Sequence, residues 1–190
     1  MTPVLILLGL VALNAFFAAS EMAFISLNDN KINVMAEEGD PKAIVLSRLL
    51  AEPTKFLSTI QIGITLAGFL ASAFASDSFA DPLVQWIAPN IPWLGETTLR
   101  SLVMVFITLI LSLISLVFGE LVPKRIAMKY HEKISFAVVG VIHFIEIVFN
   151  PFVRLLTFLT NLTVRLFGID PNEETRAITE EEIRMMVDVG

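Results

Sequence analysis

Residues 101–124 read SLVMVFITLILSLISLVFGELVPK, and the part from 101 to 119 carries no charged side chain before it meets Glu120. A helix needs roughly 20 mostly apolar residues to cross the hydrocarbon core of a bilayer. We therefore predict that residues 101–119 form a membrane span that ends against Glu120.

Two other stretches, residues 1–20 and 56–76, are equally free of charge and predict two more spans. The first stretch lacks the basic region with which a signal peptide begins, and it stays apolar beyond Ser20-Glu21. We expect it to be a membrane helix from about residue 3 to 28 rather than a cleaved leader.

The composition supports an integral membrane protein. Of the 190 residues, 55% are hydrophobic and 17% are charged, with a mean hydropathy of +0.76. No Lys or Arg lies in residues 1–30 or 56–99, and the net charge is -6. These features argue against an ordinary cytosolic enzyme, a disordered chain and a nucleic-acid binder. With no cysteine, a disulfide framework, a zinc-thiolate site and a cysteine nucleophile are all excluded.

The basic residues set the predicted orientation, because they concentrate in cytoplasmic loops. Residues 29–55 carry four of them, the segment after residue 123 carries more, and residues 77–99 carry none. Loop 77–99, which is rich in Pro and Trp, is therefore expected outside, together with the N-terminus. The expected location is the inner cell membrane, with the C-terminus in the cytoplasm.

Two shorter apolar stretches, residues 134–149 and 152–167, contain ionisable side chains and are separated by Asn150-Pro151. They resemble amphipathic helices that lie in the membrane interface. The alternative is a fourth transmembrane hairpin.

The predicted fold is thus all-α, with three transmembrane helices and a juxtamembrane belt of amphipathic helices. We place the membrane helices, with a helical cytoplasmic loop, in residues 1–128 and the belt in residues 129–168. Residues 169–190 read as an acidic linker in which Thr179 caps a helix. The sequence stops inside that helix, so we expect a soluble domain to follow.

Ionisable residues inside a span are expensive and mark functional sites. Glu21 and Glu120 both lie near the predicted cytoplasmic ends of spans, at similar depth. Glu21 can widen the acidic field or pair with Lys124.

Gly119 and Pro123 give the surroundings of Glu120 a particular chemistry. Pro123 has no N–H to donate to the carbonyl of Gly119, so a free backbone oxygen is expected beside the Glu120 carboxylate. Such hard oxygen ligands suit Mg²⁺ or Na⁺. The alternative is a proline that only ends the span, with Glu120 turned toward Lys124 or Arg125.

The second span adds small and polar side chains. Gly63 belongs to a small-residue face that permits close helix packing. Gln61 and Thr65 are four residues apart on one face, where they either line a cavity or bond to a neighbouring helix.

Three motifs carry a resemblance to a known family: Ser20-Glu21-Met22-Ala23, the block from Phe56 to Leu66 (FLSTIQIGITL), and Gly119-Glu120-Leu121-Val122-Pro123-Lys124. Together they resemble the membrane domain, DUF21, of the CNNM/CorC family, in its bacterial hemolysin-like branch. The resemblance implies a homodimer whose subunits have three spans and a juxtamembrane belt. Residues 169–190 resemble the linker to that family's paired CBS domains, which lie outside these 190 residues.

The resemblance also implies Mg²⁺ export, proposed to be coupled to Na⁺ influx, through an inward-facing acidic cavity. By position, the implied metal ligands are Ser20, Gly63, Gly119 and Glu120. Magnesium-binding members carry Gly-Asn-Asn in the second span, where this chain reads Gly63-Ile64-Thr65. The identity of the ion, partly hydrated Mg²⁺ or Na⁺, is therefore open.

Two functions follow as hypotheses. The first is Mg²⁺ efflux, with Glu120 as the charged ligand, Gln61 and Thr65 at the cavity, and Pro123 as a hinge. The second is a non-transporting membrane anchor that relays the signal of a cytosolic nucleotide sensor. An enzyme is the least expected class.

Overall fold

The computed structural model describes residues 2–91 and 93–168, and within these ranges it contains helices and no β-strand. The all-α fold is thereby confirmed. The predicted helix cap at Thr179 lies outside the described residues. The α-helices in that range are α1 (Thr2–Ile25), α2 (Asp29–Glu37), α3 (Pro41–Ala51), α4 (Pro53–Ile87), α5 (Glu96–Leu116), α6 (Val122–Lys129) and α7 (His131–Leu166).

The three predicted spans correspond to helices α1, α4 and α5. Along α4, small side chains recur at helical spacing and are buried: Ala67, Ala71 and Ala75. Side chains of this size let neighbouring backbones approach closely in a membrane, where packing rather than the hydrophobic effect holds helices together. The position of α4 against α1 and α5 depends on this stripe.

Helix α4 extends well beyond its predicted end. It continues to Ile87 with Pro82 inside it, so much of the predicted loop 77–99 is helical. Proline removes one helical hydrogen bond, and packing compensates for that loss here. The side chains that provide this packing are Ala80, Val84, Leu99 and Val103, which form a buried cluster between α4 and α5.

The connection between α1 and α4 contains the two short helices α2 and α3. The side chain of Asn28 caps α2 by accepting from the Lys31 N–H at 3.1 Å. Asp40 caps α3 in the same way, and Pro41 occupies the first helical position, which suits proline. We call the side of the membrane on which this connection lies the loop side.

The third span ends in a π-helical turn, Val117–Leu121, which joins α5 to α6. The Val122 N–H bonds to the carbonyl of Val117, five residues earlier. Pro123 follows directly, and it has no N–H for the carbonyl of Gly119. Next to Pro123, which the sequence predicts as a hinge, the chain therefore forms a widened turn, a feature frequent at functional sites.

Helix α7 departs from expectation, because residues 134–149 and 152–167 were predicted as two separate helices. The chain instead forms one helix from His131 to Leu166 through Pro151. That proline removes only its own bond to the carbonyl of Ile147. By length and composition, α7 joins α1, α4 and α5 as helices apolar enough to cross a membrane.

The chain divides into two compact units between Asn150 and Pro151, within α7. Within the first unit, two lysines of the loop-side connection and Lys55 in the first turn of α4 contact the first half of α7. The contacts are Lys31 with Glu132, Lys42 Nζ with the Phe136 carbonyl at 2.8 Å, and Lys55 Nζ with Glu146 Oε1 at 3.1 Å.

These contacts bear on how α7 runs in residues 131–150. At 1.5 Å per residue, Glu132 and Glu146 are about 21 Å apart along the helix. Their lysine partners are Lys31 on α2 and Lys55 in the first turn of α4, both at the loop side. These contacts favour a course of this part of α7 along the loop side, which is the arrangement expected of a juxtamembrane belt.

We expect Lys55→Cys and Glu146→Cys, combined in this cysteine-free chain, to be joined efficiently by a short bismaleimide, because the native side chains meet. The matched pair Arg100→Cys and Glu146→Cys should not react together, since Arg100 begins the third span on the opposite side. Gel mobility and mass spectrometry measure the crosslink. Equal crosslinking of both pairs would contradict the placement of α7.

Candidate functional site

A cavity of about 500 Å³ lies between α1, α4 and α5. On α5 and the π-helical turn its lining runs from Leu111 to Glu120, about 14 Å along the helix. Apolar side chains form much of the wall. The polar side chains of the lining are Asn14, Thr65, Ser72, Ser112, Ser115 and Glu120.

The chemistry of this lining favours a cation. Glu120 is the one acidic residue in the lining, at its loop-side end, and the other polar groups are hydroxyls and an amide. Oxygen ligands of this kind suit hard cations. Within residues 2–91 and 93–168 no group of three His, Cys, Asp or Glu residues is placed to hold a metal ion. A cation here would depend on one carboxylate and neutral oxygens.

The two acids singled out in the sequence meet at one lysine. Lys124 Nζ lies 3.0 Å from Glu21 Oε2 on α1 and 3.1 Å from Glu120 Oε1 in the π-helical turn. The side chains of Glu21, Lys124 and Glu120 are 19%, 25% and 34% exposed. The pairing of Glu21 with Lys124 and the alternative in which Glu120 turns toward Lys124 are thus both present in one cluster.

The carbonyl of Gly119, expected to be free, accepts a hydrogen bond from Asn14 Nδ2 at 3.2 Å. Asn14 is 5% exposed, and its Oδ1 has no hydrogen-bond partner among the described residues. Sequence reasoning missed Asn14. The signal was present, since an amide in a span that is otherwise apolar up to Ser20 needs an internal partner.

Two of the implied ligand positions lie in packed regions rather than in the cavity lining. Ser20 is fully buried, and its hydroxyl donates to the carbonyl of Phe16 on the same helix at 2.7 Å. Gly63 faces the ring of Phe17 so closely that an added Cβ would lie 2.5 Å from a ring carbon. The absence of a side chain at Gly63 is what lets α1 and α4 approach here.

The remaining predicted residues separate into two groups. Thr65 lines the cavity together with Ile64, while Gln61 is exposed and lies outside the lining. Pro123 is half-buried just beyond the π-helical turn. The structure therefore brings together Glu21, Glu120, Gly119 and Lys124, and it adds Asn14 to them.

Both predicted oxygen ligands of the Gly119–Glu120 pair are already occupied by nitrogen donors of the protein. Asn14 holds the carbonyl and Lys124 holds the carboxylate. A cation that bound at these two oxygens would compete with both donors.

Comparisons with known proteins agree with this architecture. The profile of the cyclin M (CNNM) transmembrane N-terminal domain matches residues 5–190. The UPF0053 protein sll0260 of Synechocystis is 40% identical over 95% of this chain and 40% of its own length. The polyamine export protein of Haemophilus influenzae is 28% identical over 98% of the chain and 42% of its own length.

A third relative, the UPF0053 inner membrane protein YfjD of Escherichia coli, is 28% identical over 92% of this chain and 37% of its own length. The chain thus spans about two fifths of the length of the curated relatives that it matches.

We expect Gly63→Ala to lower the unfolding temperature in detergent, because the new methyl group collides with the Phe17 ring. Overpacking of this kind costs about 1–3 kcal/mol. Gly68→Ala on the same helix is the matched control, since nothing lies within 4 Å of an added Cβ there. Equal unfolding temperatures for the two variants would contradict the packing described.

We expect Asn14→Ala to leave the buried Gly119 carbonyl without its donor, at a cost of about 1–3 kcal/mol. Amide hydrogen exchange should accelerate in residues 119–124, as measured by mass spectrometry. Ser101→Ala, which removes an exposed hydroxyl bonded to the Thr97 carbonyl, is the control. Unchanged exchange in residues 119–124 would show that Asn14 does not hold the turn.

Proposed function

Because this chain belongs to the CNNM family and is a multi-pass membrane protein, we propose that it transports Mg²⁺ out of the cell through the cavity that ends at Glu120. The observation that carries the proposal is the placement of this carboxylate, the single acid in the lining of an otherwise uncharged cavity between three membrane helices. An acid in such a place is a functional hypothesis by default.

The ligand set fits an ion that keeps part of its water shell. Mg²⁺ prefers six oxygens, dehydrates reluctantly, and is often held by one or two carboxylates with several waters. Glu120 supplies the charge, the Gly119 carbonyl lies next to it, and the hydroxyls of Thr65 and Ser115 offer outer contacts. Na⁺, with its single charge and hard-oxygen preference, is the proposed coupled ion.

The connections between α1 and the π-helical turn suit a site that opens and closes. They include one hydrogen bond from Asn14 and one ion pair through Lys124. Both are polar contacts that a cation or water can exchange. A turn with widened geometry next to Pro123 gives the backbone freedom to move at this place.

The assembly and orientation belong to the proposal as well. We propose a homodimer in the inner membrane with the N-terminus outside, so that the loop side faces the cytoplasm. The whole protein is proposed to continue into CBS domains that regulate the membrane part through a bound nucleotide.

A polyamine is the second candidate cargo, and one structural observation favours it. The relative from H. influenzae is named a polyamine export protein. In this chain, the primary ammonium group of Lys124 lies between Glu21 and Glu120, at 3.0 and 3.1 Å. The acid pair therefore accepts an ammonium group of the kind that polyamines carry.

Full-length protein in liposomes loaded with a Mg²⁺ indicator provides the test. We expect Glu120→Gln to reduce Mg²⁺ flux at least about tenfold, because it removes the charged ligand while keeping the volume of the side chain. Glu37→Gln, an exposed acid on α2, makes the same charge change away from the cavity and should leave the flux unchanged.

A parallel series with radiolabelled spermidine separates the two cargoes. If spermidine flux depends on Glu120 and Mg²⁺ flux does not, the cargo of this site is a polyamine and not Mg²⁺. Absence of flux for both cations, or equal flux in wild type and Glu120→Gln, would contradict transport through this site and favour the membrane anchor.

A further inference from the structure

We propose that Lys124 is the resident cation of the site: its ammonium group occupies the position that the cargo takes, and it thereby makes the site selective for divalent over monovalent ions. This inference rests on the proposed function, since it names the residue that competes with Mg²⁺ at Glu120.

The geometry places the lysine between two carboxylates from different elements. Its Nζ is 3.0 Å from Glu21 Oε2, on α1, and 3.1 Å from Glu120 Oε1, one helical turn before it in the chain. All three side chains are largely withdrawn from solvent, with exposures between 19% and 34%. An ammonium group with two acidic partners at hydrogen-bond distance fills a cation position.

The charges in this cluster are unequal. Two carboxylates face one ammonium group, so the cluster keeps one net negative charge at the end of an apolar cavity. Uncompensated charge in such surroundings is unfavourable. A divalent cation that replaced Lys124 would neutralise both acids, whereas a monovalent cation would only restore the balance that the lysine already gives.

The covalent attachment of Lys124 close to the acids provides the selectivity for divalent over monovalent ions. Lys124 is attached to the same chain four residues after Glu120, so its effective concentration at the acids is high. Na⁺ or K⁺ brings the same charge as the ammonium group but not its high effective concentration, so neither ion gains much by replacing Lys124. Mg²⁺ brings twice the charge, and its Coulomb attraction to two nearby carboxylates is correspondingly greater.

The same residue provides a way back to the empty state. When the cargo leaves, the ammonium group returns to Glu21 and Glu120 and closes the position to rebinding. The lysine would then act as a positioning residue for the acids rather than as a ligand of the ion.

The test measures Mg²⁺ affinity by calorimetry on the full-length protein in detergent. We expect Lys124→Met to bind Mg²⁺ at least about tenfold more tightly than wild type, because the competing charge is removed, and Na⁺ should inhibit this binding more strongly. Lys124→Arg keeps the competing charge and should stay close to wild type. Lys129→Met is the control, since Lys129 lies on the same helix with its Nζ over the Tyr130 ring at 5.5 Å.

A second measurement uses wild-type protein and does not depend on a variant that folds. An amine-reactive acetylating reagent, read out by mass spectrometry, should modify Lys124 several times faster in saturating Mg²⁺ than without it. The rate at Lys129 should not change.

The outcomes separate the two proposals. Wild type that binds Mg²⁺, with Lys124→Met binding equally or more weakly and with labelling of Lys124 unaffected by Mg²⁺, would overturn the role of Lys124 and leave the site at Glu120 intact. Wild type without any Mg²⁺ binding would overturn both. Tighter Mg²⁺ binding in Lys124→Met, together with faster labelling of Lys124 in wild type when Mg²⁺ is present, would support the proposed role of Lys124.

Discussion

A carboxylate that is largely removed from water needs a counter-charge. The contacts between α1 and the loop-side end of the third span satisfy this requirement. Glu21 and Glu120 come from different membrane helices, yet both lie within 3.1 Å of one lysine. The pair of contacts holds α1 against the end of the third span by electrostatics, where small side chains hold α1 against α4 by packing. A cation or water can replace the charged contact, whereas nothing replaces the packed one. We therefore expect movement between α1 and the end of the third span rather than between α1 and α4.

The π-helical turn is the backbone counterpart of this arrangement. Pro123 leaves the carbonyl of Gly119 without its usual partner, and Asn14 of α1 supplies a donor at 3.2 Å. An added Cβ would lie only 3.0 Å from the Asn14 nitrogen, so the glycine leaves room for this close contact. The two groups that would hold a cation therefore both have hydrogen-bond donors. The Gly119 carbonyl accepts from Asn14 of α1, and the Glu120 carboxylate accepts from Lys124, just after the turn.

Much of this could be predicted from residue types that act locally. Uncharged stretches of sufficient length marked the spans, and the spacing of Gly119, Glu120 and Pro123 marked a disturbed helix end. Features that depend on contacts between distant residues escaped prediction. Helix α4 passes through Pro82 because α5 packs against it, and α7 continues through Pro151. Asn14 matters only because it lies 105 positions away from the carbonyl that it satisfies.

The implied ligand set shows the same limit. Ser20 and Gly63 were carried over by position, and both lie in tightly packed contacts within and between α1 and α4, outside the lining of the cavity. The amide that the second span lacks at Ile64-Thr65 is present instead on α1, at Asn14. A sequence pattern gives the order of such groups along the chain, and only the packing of the helices shows which of them face the same space.

A high-resolution cryo-EM structure of the full-length protein in saturating Mg²⁺ tests the central claim most directly. The account predicts an ion beside the Glu120 carboxylate, with Lys124 Nζ moved beyond its present 3.1 Å from Glu120 Oε1. An ion bound elsewhere, or a Lys124 that still joins Glu21 to Glu120 while no ion is bound beside them, would contradict it.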